Sequence, residues 1–264
     1  MEAVRPDGRI QCRTLWISDV HLGSVHSKAE ALLQLLDRVD CHRLYLVGDI
    51  VDVWAMQRRV HWPEAHTRVL RRILKMSRHD VEVIYIPGNH DQNFREFCDS
   101  EFGNVKIREQ AVHETMDGRR MLVTHGDELD YAVRYSRLNR WIGDVGYDFL
   151  MWVNRWVNKL RERMGKPYWS LAKWVKVNIS QAEQAISAYQ HAAARMTIEK
   201  GFDGIICGHL HYPVMRELEG ILYCNDGDWV ENCTALVEDL AGELQLIRGL
   251  PLTRSGSDVV FARA

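Results

Sequence analysis

No two of the six cysteines in this 264-residue chain stand in a CxxC spacing. Cys12, Cys41, Cys98, Cys207, Cys224 and Cys233 are scattered, which argues against a disulfide framework. They read as mostly buried small hydrophobes in a reducing compartment. Also missing is a run of ~20 apolar residues, the length a spanning helix needs. Residues 1–10 are polar, with Arg5, Pro6, Asp7 and Arg9, and lack the apolar core of a signal peptide. A cytoplasmic location is expected, with contact at a membrane surface left open. Neither charge is in surplus, since 34 Lys and Arg oppose 36 acids for a net charge of -2. That balance gives no reason to expect a nucleic-acid partner. Internal repeats are absent, and nothing in the chain fixes an oligomeric state.

What is present is a hydrophobic fraction of 46% with 27% charged residues, the composition of a domain with a real core. Short apolar runs at 14–18, 44–47 and 81–86 alternate with helical patterns at 27–39 and about 63–76. This is the rhythm of a parallel or mixed sheet covered by helices. Hairpin patterns are expected from residue 105 onward, with Asp117-Gly118 as a two-residue turn between strands at 111–115 and 120–124. A helical stretch at about 128–200, broken at Gly165-Lys166-Pro167, interrupts the sheet pattern. Strands resume at 204–207, then 217–223 and 234–247, with turns at Glu219-Gly220 and Ala241-Gly242. The expectation is one domain over 1–264 carrying a helical cap at about 128–200, with a frayed tail after Pro251.

Five short blocks each follow an apolar strand-like run: Asp19-Val20-His21, Gly48-Asp49, Gly88-Asn89-His90-Asp91, His125-Gly126 and Gly208-His209-Leu210-His211. The carboxyl ends of strands in an open α/β sheet share one edge, and ligands bind there. Carboxylate, amide oxygen and imidazole together suit Mn²⁺, Fe²⁺ or Zn²⁺. The absence of cysteine from the blocks argues against a structural zinc site. Singly, each block is weak: Asp-x-His is usually two surface residues, and Gly-Asp is usually a turn. Jointly, the bland explanation would have to hold five times over.

In this order the blocks resemble the calcineurin-like metallophosphoesterase superfamily. The resemblance implies an α/β sandwich of two facing mixed sheets flanked by helices. It implies one metal ion held by Asp19, His21, Asp49 and His211, and a second by Asp49, Asn89, His125 and His209. It further implies that His90 acts on the developing charge and that Asp52 orients it, where the plain reading of Asp52 is a solvated helix start. A narrower resemblance rests on 18–23, 48–54, 125–127 and 225–234. These segments are similar to the bacterial UDP-2,3-diacylglucosamine diphosphatase group of lipid A synthesis, which usually uses Mn²⁺ and releases UMP. In that group the residue after the metal-binding Asn is commonly Arg, whereas this chain has His90.

Between Arg134 and Lys176 ten Lys or Arg residues face three acids, and Trp141, Trp152, Trp156, Trp169 and Trp174 lie in the same stretch. Such a composition suits a lipid headgroup layer or an acyl-binding cap. Packing of the tryptophans onto the domain explains them equally well. Tyr135 and Lys176 are candidate phosphate or sugar contacts. His26, His42, His61, His66, His79, His113 and His191 have no motif around them and read as surface or satisfied structural residues. Two other functions stay open: a phosphodiesterase or phosphatase for another nucleotide or phospholipid-type substrate, and a non-enzymatic scaffold on the same fold.

Overall fold

A computed structural model describes residues 9–78, 81–131, 155–156, 158–159, 161–165 and 180–249. The chain divides into two compact units, Met1–Asp127 with Ala193–Ala264, and Glu128–Ala192.

The first unit holds two mixed sheets. In the larger, β1 (Ile10–Ile17), β2 (Val39–Val47) and β3 (Glu82–Ile86) run parallel, joined by β4 (Glu101–Phe102) and β5 (Val105–Ile107). The smaller contains β6 (Ala111–Glu114), β7 (Arg120–Val123), β8 (Gly204–Cys207), β9 (Val214–Leu218) and β10 (Ile221–Asn225). β11 (Thr234–Asp239) and β12 (Leu244–Arg248) return to the larger sheet. The strand orders are β12-β11-β1-β2-β3-β5-β4 and β6-β7-β8-β10-β9. The helices are α1 (Ala29–Arg38), α2 (Val53–Arg58), α3 (Glu64–Ser77) and α4 (Ser180–Glu199).

Successive side chains on a strand point to opposite faces. Toward their carboxyl ends the central strands are buried on both faces, so Leu15–Ile17 of β1 and Leu44–Val47 of β2 read as unbroken apolar runs. Leu15, Ile17, Leu44, Leu46 and Val83 point outward, where Leu32 and Leu36 of α1 and Val69, Ile73 and Met76 of α3 cover them. Trp16, Tyr45, Val47, Ile84 and Ile86 point inward and meet Met121, Val123 and Ile206 of the smaller sheet. The two sheets therefore face one another across an apolar core. A buried polar contact joins them as well: His113 on β6 lies 3.0 Å from Glu238 on β11, with the His113 ring edge-on to Trp16.

The structure moves one boundary. Hairpins were expected from residue 105, but β5 lies parallel to β3 and extends the larger sheet, so the smaller sheet starts at β6. The β4–β5 turn is Gly103-Asn104, both at positive φ, the backbone of a tight hairpin. The short helix α2 is foreshadowed only by the plain reading of Asp52 as a helix start. In the second unit helical turns are described at 155–156, 158–159 and 161–163, and Trp156 is exposed. Trp141, Trp152, Trp169 and Trp174, His79, and the tail after Pro251 lie outside the described residues. Among the described residues no helix is long and apolar enough to cross a membrane.

His66 of α3 is buried, and its Nδ1 accepts the Gly23 N–H at 3.0 Å. Burial, with His61 nearby, lowers its pKa from 6.5 to about 4. The folded state thus holds His66 neutral, while the unfolded chain takes up a proton near 6.5. Stability from this group is complete above that value and is lost as pH falls toward 4. Urea midpoints measured between pH 7 and about pH 4 should fall more for the native chain than for His66→Gln. Parallel curves for the two proteins would remove His66 from the acid response.

Candidate metal centre

All five blocks leave their strands at the carboxyl ends, but from two sheets. Asp19, Asp49 and Asn89 follow β1, β2 and β3, whereas His125 and His209 follow β7 and β8. The single sheet edge expected from strand ends is thus two edges brought together by the inner core. Asp19, His21 and His211 form one group with converging ligand atoms, and Asp49, His125 and His209 form another. A third, His21, Asp49 and His90, lies between them. Asn89 faces the second group, with its Oδ1 3.3 Å from His125 Nε2.

Backbone bonds aim each carboxylate. Asp19 Oδ2 accepts the His209 N–H at 2.8 Å, and its Oδ1 lies 3.0 Å from His211 Nε2. Asp49 Oδ1 accepts the His90 N–H at 2.8 Å, which leaves Oδ2 turned toward His21 and His125 at 3.8 and 3.5 Å. One oxygen of each acid is held by the fold, and the other is presented to the centre.

The imidazoles are aimed in the same way. His125 donates its Nδ1–H to the Val47 carbonyl at 2.9 Å, and His21 donates its Nδ1–H to Asp52 Oδ2 at 3.1 Å. Both rings then carry a lone pair on Nε2, and His21 Nε2 is buried without a hydrogen-bond partner. A lone pair facing a carboxylate at these distances is repulsive unless a cation or a proton lies between. Burial pushes the His21 imidazole down, yet the Asp52 hydrogen bond and the Asp49, Asp52 and Asp19 carboxylates lift it to about 9. Burial pushes the Asp19 carboxyl up, yet His211 brings it down to about 2. The same competition holds Asp49 well below the usual carboxylate range, chiefly through His125. The donor set fits divalent cations, with a hydrogen-bonded carboxylate behind a ligand histidine as such sites use.

Backbone strain marks the same residues. Asp19, His21, Asp49, His209 and His211, five of the seven candidate ligands, have φ between 50° and 66°. Left-handed backbone at a non-glycine residue costs of order 1 kcal/mol or more and persists only where surroundings enforce it. Glycine is needed beside them. Gly48, at φ 82°, faces the His125 ring so closely that any side chain there would collide with it.

Asp52 and His90 come together as the resemblance implied, since Asp52 Oδ1 lies 2.9 Å from His90 Nδ1. Asp52 was also weighed as a plain solvated helix start. It does cap α2, accepting the Ala55 N–H at 2.8 Å, but it is buried and grips His21 as well. Tyr135 and Lys176 lie outside the described residues.

Three features carried no role in the sequence. Buried Asp91 accepts the Gly88 N–H at 2.6 Å and the Ile50 N–H at 2.8 Å, with the Asp49 and Val51 N–H groups at 3.3 Å. It ties the Asp49 turn to the Asn89 turn, and its place in Gly88-Asn89-His90-Asp91 was the available signal. Asp228 and Asn232 build a loop in which Asn232 Nδ2 donates to the His211 carbonyl at 2.9 Å and the Trp229 N–H donates to the Asp19 carbonyl at 3.0 Å. Trp54 lies against His90, ring centroids 4.4 Å apart, a pairing across the fold that spacing does not reveal.

The sequence pattern of the calcineurin-like phosphoesterases matches residues 12–213, a span that contains every block. The chain belongs to that family. It is a metal-dependent phosphoesterase with divalent metal ions as cofactors. Several curated relatives carry the name UDP-2,3-diacylglucosamine hydrolase. The Neisseria gonorrhoeae protein is 29% identical over 225 residues, covering 81% of this chain and 88% of its own length. A Neisseria meningitidis serogroup C protein is 28% identical with the same coverage. A Haemophilus influenzae protein is 25% identical over 248 residues, 88% of this chain and 98% of its own.

Metal content should follow the geometry. Asn89→Ala and His209→Ala should each lose one ion while keeping the fold, and Asp49→Ala should lose both. Elemental analysis of the purified proteins beside far-UV circular dichroism tests this, and full metal occupancy in folded Asp49→Ala would remove it from the centre.

Proposed function

We propose that the chain cleaves UDP-2,3-diacylglucosamine to UMP and 2,3-diacylglucosamine 1-phosphate in lipid A synthesis, with two Mn²⁺ ions. The observation that carries this reading is the extent of the match: relatives of that name align over 81% of this chain and 88% of their own length. Asp19, His21, Asp49 and His211 would hold one ion, and Asp49, Asn89, His125 and His209 the other. Bound there, the ions supply Lewis-acid polarisation of the phosphoryl oxygens and an acidified water for in-line attack on phosphorus.

The chain's own groups do the rest. Asp52 accepts the His90 Nδ1–H, which fixes the ring and leaves Nε2 to carry a proton to the leaving oxygen. The insertion expected at about 128–200 would take the lipid part, with Tyr135 and Lys176 as phosphate or sugar contacts. A second reading, a phosphodiesterase or phosphatase for another nucleotide or phospholipid-type substrate, is favoured by one observation. His90 is an imidazole locked in place at 2.9 Å from Asp52, and an acid of that kind serves poor leaving groups best.

UMP release from UDP-2,3-diacylglucosamine with Mn²⁺, run beside simple phosphodiesters, separates the two. Asp49→Ala should abolish turnover of either. His90→Ala should lower kcat by ~10²–10⁴ on poor leaving groups with little change in KM. The loss should be smallest where the leaving oxygen needs no proton, and His90→Arg should favour the nucleotide-linked lipid over simple diesters. Equal, modest losses for His90→Ala on every substrate would leave His90 only a neighbour of Asn89.

A further inference from the structure

The Asp19 group and the Asp49 group of donors each draw on both sheets, so their geometry depends on how the sheets are joined beside them. Near Asp19 the joints are close to the donors. Ser18 Oγ donates to Asp226 Oδ1 at 2.6 Å, linking the end of β1 to the end of β10, and Asp19 accepts the His209 N–H. Near Asn89 the turns approach from β3 and β7, and Asn89 is half-buried. Its amide oxygen lies 3.3 Å from His125 Nε2. An uncharged amide oxygen draws a cation less strongly than a carboxylate, so its hold depends on placement.

Arg95 joins these two turns. Its Nη2 donates to the Pro87 carbonyl at 3.2 Å and to Asp127 Oδ1 at 2.6 Å. Pro87 stands two residues before Asn89, and Asp127 two residues after His125. One nitrogen thus bridges the backbone that follows β3 and a carboxylate that follows β7. Arg95 is itself rooted on the larger sheet. It lies on the 3₁₀ turn Gln92–Phe97, where the Phe94 ring packs edge-on against Tyr85 of β3, centroids 5.7 Å apart. The preceding Asp91 accepts the Gly88 and Asp49 N–H groups. As a source of stability the ion pair is minor, because the Arg95 side chain is 38% exposed and exposed pairs add little. As a source of charge it opposes metal binding, since a guanidinium near a cation site repels the cation. What remains is its reach across the gap between the sheets.

We propose that Arg95 is a positioning residue for the second ion. By clamping the Pro87 turn to Asp127, it holds Asn89 and His125 at the separation a shared cation needs. It acts through those two ligands and touches neither ion nor substrate. Groups one step behind metal ligands orient them, and their loss commonly lowers metal affinity about 10–100-fold. The group Asp19, His21 and His211 has no part in the clamp and should bind its ion as before. The inference rests on the second ion assigned above to Asp49, Asn89, His125 and His209.

The test is equilibrium dialysis of the full-length protein, stripped with chelator, against graded Mn²⁺, with bound metal counted by elemental analysis. Arg95→Met combined with Asp127→Asn removes the clamp and leaves the net charge unchanged. In this double variant one ion should bind about 10–100-fold more weakly and the other as in the native chain. Circular dichroism and the urea midpoint should stay native. Arg95→Met alone removes a positive charge and leaves the acid, so the sign of its effect separates two causes. The clamp predicts weaker binding of one ion, whereas charge alone predicts tighter binding. Arg95→Lys, which keeps a charged donor on a long stem, should recover part of the affinity lost in Arg95→Met. Native affinity for both ions in the double variant would overturn the proposal, as would tighter binding by Arg95→Met or equal weakening of both ions. His209→Ala is the control for the assignment beneath it. One ion lost there, beside native affinity in the double variant, would keep the second ion and remove the clamp. Two ions retained in His209→Ala would remove the assignment and the clamp with it.

Discussion

The His90 N–H that Asp49 Oδ1 accepts at 2.8 Å fixes the carboxylate that two of the three candidate ligand groups share. It commits one oxygen of the carboxylate to the β3 turn, so the other must face His21, which follows β1, and His125, which follows β7. A free carboxylate would rotate and spread its charge among water molecules. A held one is a fixed electrode, and the rest of the site is arranged around it. Asp19 repeats the device with the His209 N–H, and in doing so links the larger sheet to the smaller.

Holding like donors together is costly, and the fold meets that cost in layers. Asp91 binds the turn at Asp49 to the turn at Gly88, while Asp228 and Asn232 brace the turn at His211. Asp52 holds two imidazoles with one carboxylate, so the orientation of a candidate metal ligand, His21, is coupled to that of His90. Behind these groups is an apolar layer of Trp16, Tyr45, Val47, Val123 and Ile206 that cannot shift without opening the space between the sheets. Strained φ values at five candidate ligands are tolerated because each turn is fixed from several sides. Metal ligands bind in their deprotonated forms, so loading this donor set with a divalent cation releases protons.

Much of this was legible in the chain. Unbroken apolar runs ending in Asp, His or Asn marked the strands and their carboxyl ends, since a strand buried on both faces has no polar residue until it leaves the core. The His66 and His113 environments were anticipated in kind, as satisfied structural histidines, and both are buried and hydrogen-bonded. The β4–β5 hairpin was missed because a pair of strands two and three residues long carries almost no periodicity, although Gly103-Asn104 signalled its turn. Of the short helix α2 only the start at Asp52 was legible, since six residues carry little periodicity.

The sequence by itself determined which residue types stand at the strand ends, in what order, and that they suit divalent metal ions, while phosphoester hydrolysis came with the family those ordered blocks resemble. Their order is covalent, and residue type sets donor chemistry without reference to neighbours. Only the tertiary structure decided that the five ends come from two sheets, which oxygen of each carboxylate is free, and that Asp52 grips His21 as well as His90. It also decided that Trp54 covers His90 and that Arg95 joins the turn after β3 to Asp127. Those facts depend on contacts between residues dozens of positions apart, and on backbone N–H groups whose direction is set by packing. Local periodicity carries no record of either.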